Sequence, residues 1–290
     1  MTEAHNQNVA VVTGASAGIG KEVAKALVAQ GWHVIGTGRD ATRCAEAAST
    51  INAAASNGGR FAMVRADMAL LADTARMADE IIALTPRIDV LVCNAGGIRD
   101  KEYVSSEGHE ATFATNHLAH FLLLQKLMPL LVKTAQQHGG VARVLSTSSD
   151  AHDHCPAMNW DDLNFAHNFS VGAAYCQAKL ANVLFTRELA KRGAVDGIVA
   201  NVIHPGPVTS NFWSHGDEVF KTRIDTIRDQ AVTPEKAAET LVWLATASEA
   251  GAMSGQYYYM GAPRDPSVAA QDAAAATRLW EMSEALTAGY

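Results

Sequence analysis

Apolar residues recur along this chain in two alternating periods. Short β-branched runs alternate with longer stretches whose apolar positions fall three and four apart, the repeats of a buried strand and of a helix with one core-facing side. The first unit is the clearest. Val9-Ala-Val-Val12 is followed at once by Thr13-Gly-Ala-Ser-Ala-Gly-Ile-Gly20, and then by Val23, Ala24, Leu27 and Val28 on one helical face. The same alternation predicts further strands at residues 33–37, 60–66, 89–93, 142–147, 198–203 and 256–259, with helices between them. Strands alternating with helices imply right-handed crossovers and a parallel sheet covered on both faces. The expected fold class is therefore α/β, one doubly wound sheet in a single domain over 1–290.

Two segments read as additions to that sheet. Between about 206 and 232, Phe212, Trp213, Phe220, Ile224 and Ile227 lay an apolar stripe along a charged stretch, as either a lid over an apolar pocket or a helix packed on the core would. The other addition is the tail, about 262–290. The Ala-rich patches at 45–55 and 269–276 read as helix surface. Leu118 to Val132 is the longest apolar stretch; it contains His120, Gln125, Lys126 and Pro129 and is short for a membrane span. It is expected in the core or in a contact between subunits.

Composition narrows the partners. The net charge of −7 and the lack of a basic block argue against a nucleic-acid surface. No leader-type run precedes Val9, so the expectation is a cytoplasmic protein without membrane attachment that acts on a small apolar molecule. Cys44, Cys93, Cys155 and Cys176 show no metal-ligand spacing and read as reduced thiols. His117, His120, His152 and His154 form no ordered ligand set, so no metal is expected.

Gly14, Gly18 and Gly20 lie where a strand turns into a helix. A helix N-terminus offers unpaired N–H groups and a positive dipole end, and glycines let a pyrophosphate approach the backbone. The spacing G-x-x-x-G-x-G also fits a tight turn without a ligand. Its fixed positions resemble the cofactor motif of the short-chain dehydrogenase/reductase family, a Rossmann-type fold; Ser16 and Ile19 belong to the same loop. At the end of the second strand stands Gly36-Thr-Gly-Arg-Asp40. Gly38 occupies the place where users of NAD usually carry an acid, and Arg39 follows, a planar fork suited to phosphate. The expectation is NADP(H), with NAD(H) as the second candidate; a pairing of Arg39 with the adjacent Asp40 would remove the argument.

Tyr175-Cys-Gln-Ala-Lys179 puts a phenol and an ammonium on one helix face, where the positive charge can lower the phenol pKa toward working pH. Such a pair is common by chance. The resemblance strengthens because other elements stand in the family's order: Asn94-Ala-Gly96, Asn116 in NHLAHF, Ser149 in STSS, the Tyr/Lys pair, then Pro205-Gly206. It implies that Tyr175 moves the proton, that Ser149 bonds the substrate oxygen, and that Lys179 holds the nicotinamide ribose. Asn116 would hold a water joining Lys179 to solvent. Ser148 is the other candidate serine, and the family pattern favours the second of the doublet. Asp67, with Met68 beside it, resembles the adenine contact; Asn94, Ala95 and Gly96 would line the adenine ribose. Pro205, Gly206, Val208 and Thr209 complete the implied cofactor site.

Beyond these motifs, Asn116-His-Leu-Ala-His-Phe121, the segment from Ala174 to Leu189, His204-Pro-Gly206 and Leu279-Trp-Glu281 resemble the retinol-dehydrogenase-like branch, across essentially the whole chain. Ala178 departs from it, standing where that branch usually has serine. The implied activity is reversible hydride transfer between NADP(H) and an apolar alcohol, ketone or aldehyde. Two rivals are reduction of an activated C=C bond, as in the similar light-dependent protochlorophyllide reductases, and a cofactor sensor without chemistry. The helices from Glu110 and from Tyr175 resemble those through which the family dimerises, which implies a homodimer or homotetramer.

Overall fold

The computed structural model describes residues 7–138, 140–165, 167, 169–210 and 216–290, without the side chains of His138, Arg223 and Ile224. Eight strands form one sheet in the order β3-β2-β1-β4-β5-β6-β7-β8. They are β1 Val9–Val12, β2 His33–Gly38, β3 Arg60–Arg65, β4 Val90–Cys93, β5 Ala142–Thr147, β6 Ile198–His204, β7 Tyr257–Tyr259 and β8 Ala262–Arg264. The first seven are parallel. β8 closes the edge as an antiparallel hairpin with β7, and the sequence pattern did not predict it. Three residues, Ala-Pro-Arg, carry no strand alternation, and proline is tolerated there because the strand lies at an edge.

Each central strand feeds two cores. In β1, Val9 and Val11 face one side with Leu91, Val144 and Phe121. Ala10 and Val12 face the other with Val90, Leu145 and Tyr258. Burial on both faces is why these strands read as continuous apolar runs. Against the second face pack α1 (Gly18–Ala29) and α8 (Pro234–Thr246). The first face carries α3 (Leu71–Leu84), α5 (Ala119–His138) and α6 (Val171–Arg192). α2 (Ala41–Ala53) follows β2, and α4 is the single turn Ala111–Phe113.

The Ala-rich patches are not only surface. Ala47, Ala270 and Ala276 are buried, because a methyl side chain lets a helix approach its neighbour closely. In the tail, α9 (Ala273–Thr287) lies on α6. Trp280 stacks on Phe185, meets the edge of Phe121 and lies under the Arg192 guanidinium. The apolar segment predicted at 118–132 belongs to a longer helical run, Ala111–Gln137, long and apolar enough by length and composition to cross a membrane. Here most of that run is buried inside the fold.

Several histidines sit in this interior. Burial lowers His33, His120 and His204 to about 4 and His117 to about 3, from an ordinary 6.5. They stay neutral in the folded chain while the unfolded chain binds protons below 6.5. Their contribution to stability is thus present above 6.5 and lost as pH falls toward about 4. The thermal midpoint should fall steeply across that window. His117 lies among the rings of Phe113, Phe121 and Phe185, so His117→Phe should flatten the fall; an unchanged slope would locate the acid sensitivity elsewhere.

Candidate active site

The strand order reverses between β1 and β4, and ligands of open α/β sheets bind in the crevice at such a point. The loops after both strands meet there. Gly14 and Gly18 adopt φ of +71° and +55°, a region that favours glycine. A Cβ at Gly20 would lie 2.5 Å from the Gly14 carbonyl oxygen, whereas one at Gly18 would meet nothing within 4 Å. The loop is therefore packed inward at Gly20 and open outward at Gly18. No side chain caps α1, and its first turn carries no acid, whereas α2, α6, α8 and α9 are capped by Asp40, Ser170, Thr233 and Asp272. Free N–H groups at a glycine-lined opening fit a pyrophosphate. Ser16 is half-buried, and Ile19 packs against the second core.

At the end of β2, a Cβ on Gly38 would lie 2.6 Å from Cys44 Sγ and 2.9 Å from Ser16 Cβ. An acid cannot be placed there without displacing both. Arg39 does not pair with Asp40, which instead caps α2 by accepting from the Arg43 N–H at 2.9 Å. Arg39 Nη1 lies 3.6 Å from Asp67 Oδ2, with both side chains at least one-third exposed, an exposed pair of little energetic weight. Asp67 also accepts from the Ala69 N–H at 3.1 Å. Met68 is buried in the first core, with Ala95 against it. Arg43, one helical turn beyond Arg39, is a further exposed cation at this corner; it lay inside a predicted helix with no motif to mark it.

Asn94 is a clamp. Its amide donates to the Thr13 carbonyl at 3.1 Å and accepts from the Thr147 hydroxyl at 3.3 Å. A Cβ at Gly96 would lie 2.4 Å from Asn116 Oδ1 and 3.4 Å from Lys179 Nζ.

α6 brings Tyr175 and Lys179 onto one inward face, both buried. Lys179 Nζ stands 5.4 Å from the centre of the Tyr175 ring and donates to the Thr147 carbonyl at 3.3 Å. Burial lowers Lys179 to about 8. Burial also pushes the Tyr175 phenol above its ordinary value, while a hydrogen bond with Ser149 pulls it back. The two serines part company here. Ser148 is buried and donates to the Lys179 carbonyl at 2.7 Å, so its proton is committed to the backbone. Ser149 is only half-buried and reaches Tyr175.

Asn116 lies on a π-helical turn, Ala114–Leu118, joining α4 to α5. Its side chain is fully used: Nδ2 donates to the Gly97 and Thr112 carbonyls at 2.8 and 2.7 Å, and Oδ1 accepts from the Gly97 N–H at 3.2 Å. Its backbone carbonyl lies 3.1 Å from His120 Nδ1. A carbonyl only accepts, so Nδ1 carries the ring proton and Nε2 accepts from the Thr13 hydroxyl, 2.9 Å away. Thr13 Oγ1 in turn accepts from the N–H groups of Asn94 and Ala95 at 2.9 Å each. One buried histidine thus ties the glycine loop, the loop after β4 and the π turn together. In the sequence His120 stands in the apolar stretch 118–132 and in the Asn116–Phe121 motif, with no role of its own. Among the described residues no group of three or more His, Cys, Asp or Glu could hold a metal ion.

Past β6, Gly206 has φ +79°, and Val208 pairs with Val232. The Thr209 N–H donates to the Val232 carbonyl at 3.0 Å, and the Val232 N–H to the Pro207 carbonyl at 2.9 Å. This bridge closes the base of the 206–232 segment. Within it, α7 (Glu218–Ile227) sets Phe220 against the cluster of Ile98, Val171 and Tyr175, on which Phe169 also packs. Phe212 and Trp213, and the Ile224 side chain, lie outside the described residues.

Comparison with known proteins agrees with this geometry. Residues 8–159 match the family model described as short chain dehydrogenase. The chain is 36% identical to human retinol dehydrogenase 13, covering 95% of this chain and 83% of that one. It is 34% identical to a WW domain-containing oxidoreductase of Danio rerio, covering 97% and 68%. Among solved structures, an uncharacterised protein from Mycobacterium Paratuberculosis superposes with a TM-score of 0.75 at 31% identity, covering 97% and 94%. The RhlG/NADP active-site complex of Pseudomonas aeruginosa gives 0.69 at 29%, covering 87% and 94%. A glycine cradle at the switch point, a Ser/Tyr/Lys cluster beside it and these likenesses lead to one conclusion: the chain belongs to the short-chain dehydrogenase/reductase family of nicotinamide-dependent oxidoreductases, in its retinol-dehydrogenase-like branch.

Proposed function

We propose that the chain catalyses hydride transfer between NADP(H) and the carbinol or carbonyl carbon of an apolar alcohol, ketone or aldehyde. The observation that carries this reading is the convergence of Ser149, Tyr175 and Lys179 beneath an apolar wall of Ile98, Phe169, Val171 and Phe220. The nicotinamide, when bound, supplies or accepts the hydride. Tyr175 delivers or removes the proton at the substrate oxygen, Ser149 hydrogen-bonds that oxygen, and the Lys179 charge favours the phenolate. Pro205, Gly206, Val208 and Thr209 would hold the nicotinamide end, and Asp67, Ala95 and Gly96 the adenosine end. Self-association belongs to the same proposal; α9 covers part of α6, so copies would meet on the surfaces it leaves open.

The preference for NADP(H) rests on Gly38, which excludes an acid, and on Arg39, whose exposed pairing with Asp67 a phosphate can replace. In fluorescence titrations NADPH should bind more tightly than NADH. Arg39→Ala should weaken NADPH by about tenfold to a hundredfold, the loss of one charged hydrogen bond, and leave NADH unchanged. Equal binding of the two nucleotides to the parent chain would refute the phosphate assignment. The reaction itself is tested by NADPH consumption against apolar aldehydes and ketones, with an enone beside its saturated ketone. Turnover of the enone alone would favour C=C reduction, and nucleotide binding with no turnover the sensor.

A further inference from the structure

Ile98 and Val171 cluster with Tyr175, and Ala151, Phe169 and Phe220 pack against them. At the reacting end of this apolar wall stands a carboxylate. Asp150 Oδ1 lies 3.0 Å from Ser149 Oγ, and the Asp150 side chain is 58% exposed. The Ser149 hydroxyl is shared, since it also bonds Tyr175 and accepts from the Ala151 N–H at 3.1 Å. Burial pushes the Tyr175 phenol up, and the Asp150 charge adds to that push, so the carboxylate is a neighbour of both groups that meet the substrate oxygen. Its place is fixed by the turn Asp150–His154, where His152 Nδ1 donates to the Ser149 carbonyl at 2.7 Å and His152 Nε2 accepts from the Ser267 N–H at 3.2 Å. Among the described residues no lysine or arginine pairs with Asp150. The basic group beside it is His204, whose Nε2 lies 3.8 Å from the other oxygen; burial lowers that imidazole to about 4, so it is uncharged near neutrality. Arg264 lies instead 3.8 Å from Asp153.

When Ser149 turns its hydroxyl to a plain ketone, the Asp150 carboxylate is left to water. A carbonyl compound with a hydroxyl or protonated amine on the neighbouring carbon fills both positions. Its two heteroatoms stand about as far apart as Ser149 Oγ and Asp150 Oδ1, 3.0 Å. The carbonyl oxygen then accepts from Ser149 and Tyr175, while the neighbouring group donates to Asp150. We propose that Asp150 is a specificity-determining residue that selects carbonyl substrates with a hydrogen-bond donor on the carbon next to the reacting one. The roles of Ser149 and Tyr175 are unchanged. The inference rests on the oxidoreductase reading above and deepens it, adding to an apolar body one polar group at a fixed place. In the reverse direction the same contact selects a vicinal diol or amino alcohol.

The test measures kcat/KM with NADPH for α-hydroxyacetophenone and α-aminoacetophenone against propiophenone, which carries a methyl in place of the donor, in the parent chain, Asp150→Leu and Asp150→Asn. The donor groups also alter the intrinsic reactivity of the carbonyl. The readout is therefore each ratio to propiophenone and its change on substitution, in which that reactivity cancels. The parent chain should prefer both donor ketones, and Asp150→Leu should lower each ratio about tenfold, the loss of one charged hydrogen bond. Asp150→Asn keeps a neutral acceptor, so it should retain part of the hydroxyl ratio and lose the ammonium ratio. The donor whose ratio falls more is the one the site selects. Ratios that are the same in the parent and both variants overturn the proposal, as does a parent chain that prefers propiophenone. Failure of the parent chain to turn over any of the three ketones would instead strike the oxidoreductase reading.

Discussion

Tyr175→Phe is expected to lower carbonyl reduction by on the order of a thousandfold while leaving NADPH binding nearly unchanged. The substitution removes one oxygen from a ring packed against Ile98 and Val171, so the pocket keeps its shape. What is lost is the proton at the substrate oxygen. The hydrogen bond to Ser149 goes with it, but Ser149 retains the Ala151 N–H and Asp150 contacts. The discriminating readout is therefore kcat, with KM and the NADPH dissociation constant as controls. Retained turnover would mean that another group moves the proton.

Lys179→Met should cost nearly as much, again on the order of a thousandfold at neutral pH, about 4 kcal/mol of barrier. The reason is electrostatic. Burial, with smaller contributions from Asp150 and Cys176, drives the phenol upward, and the Lys179 ammonium, 5.4 Å from the ring centre, is a positive charge that favours the ionised form. Lys179 itself is lowered to about 8 by burial. Without the lysine the phenol ionises only at higher pH. Residual alcohol oxidation should then keep rising with pH where the parent chain has levelled off. A parallel drop at every pH would assign Lys179 to cofactor binding alone.

Much of this architecture is legible in the sequence because the physics is local. Parallel strands buried on both faces give runs such as Val9–Val12, and the glycines at 14, 18 and 20 announce a turn that only they can make. Other features depend on contacts that spacing does not encode. Ser148 and Ser149 are neighbours of one type, and only the fold sends one hydroxyl to the Lys179 carbonyl and the other toward Tyr175. The partner of Arg39 lies past the end of the neighbouring strand at Asp67, not at Asp40 beside it. The π turn at Ala114–Leu118 is not marked in the sequence, and the link from His120 to Thr13 emerges only in the fold. The short β8 carries too little pattern to be read.

The most direct test of the account follows a label. NADPH deuterated at the transferring carbon is incubated with the parent chain and an apolar carbonyl that it consumes, and the product is examined by mass spectrometry and NMR. The account predicts one deuterium on the carbinol carbon, from one face of the nicotinamide, and none with Tyr175→Phe beyond the residual turnover. Deuterium on the carbon β to an intact carbonyl, or a product that carries no label, would contradict it.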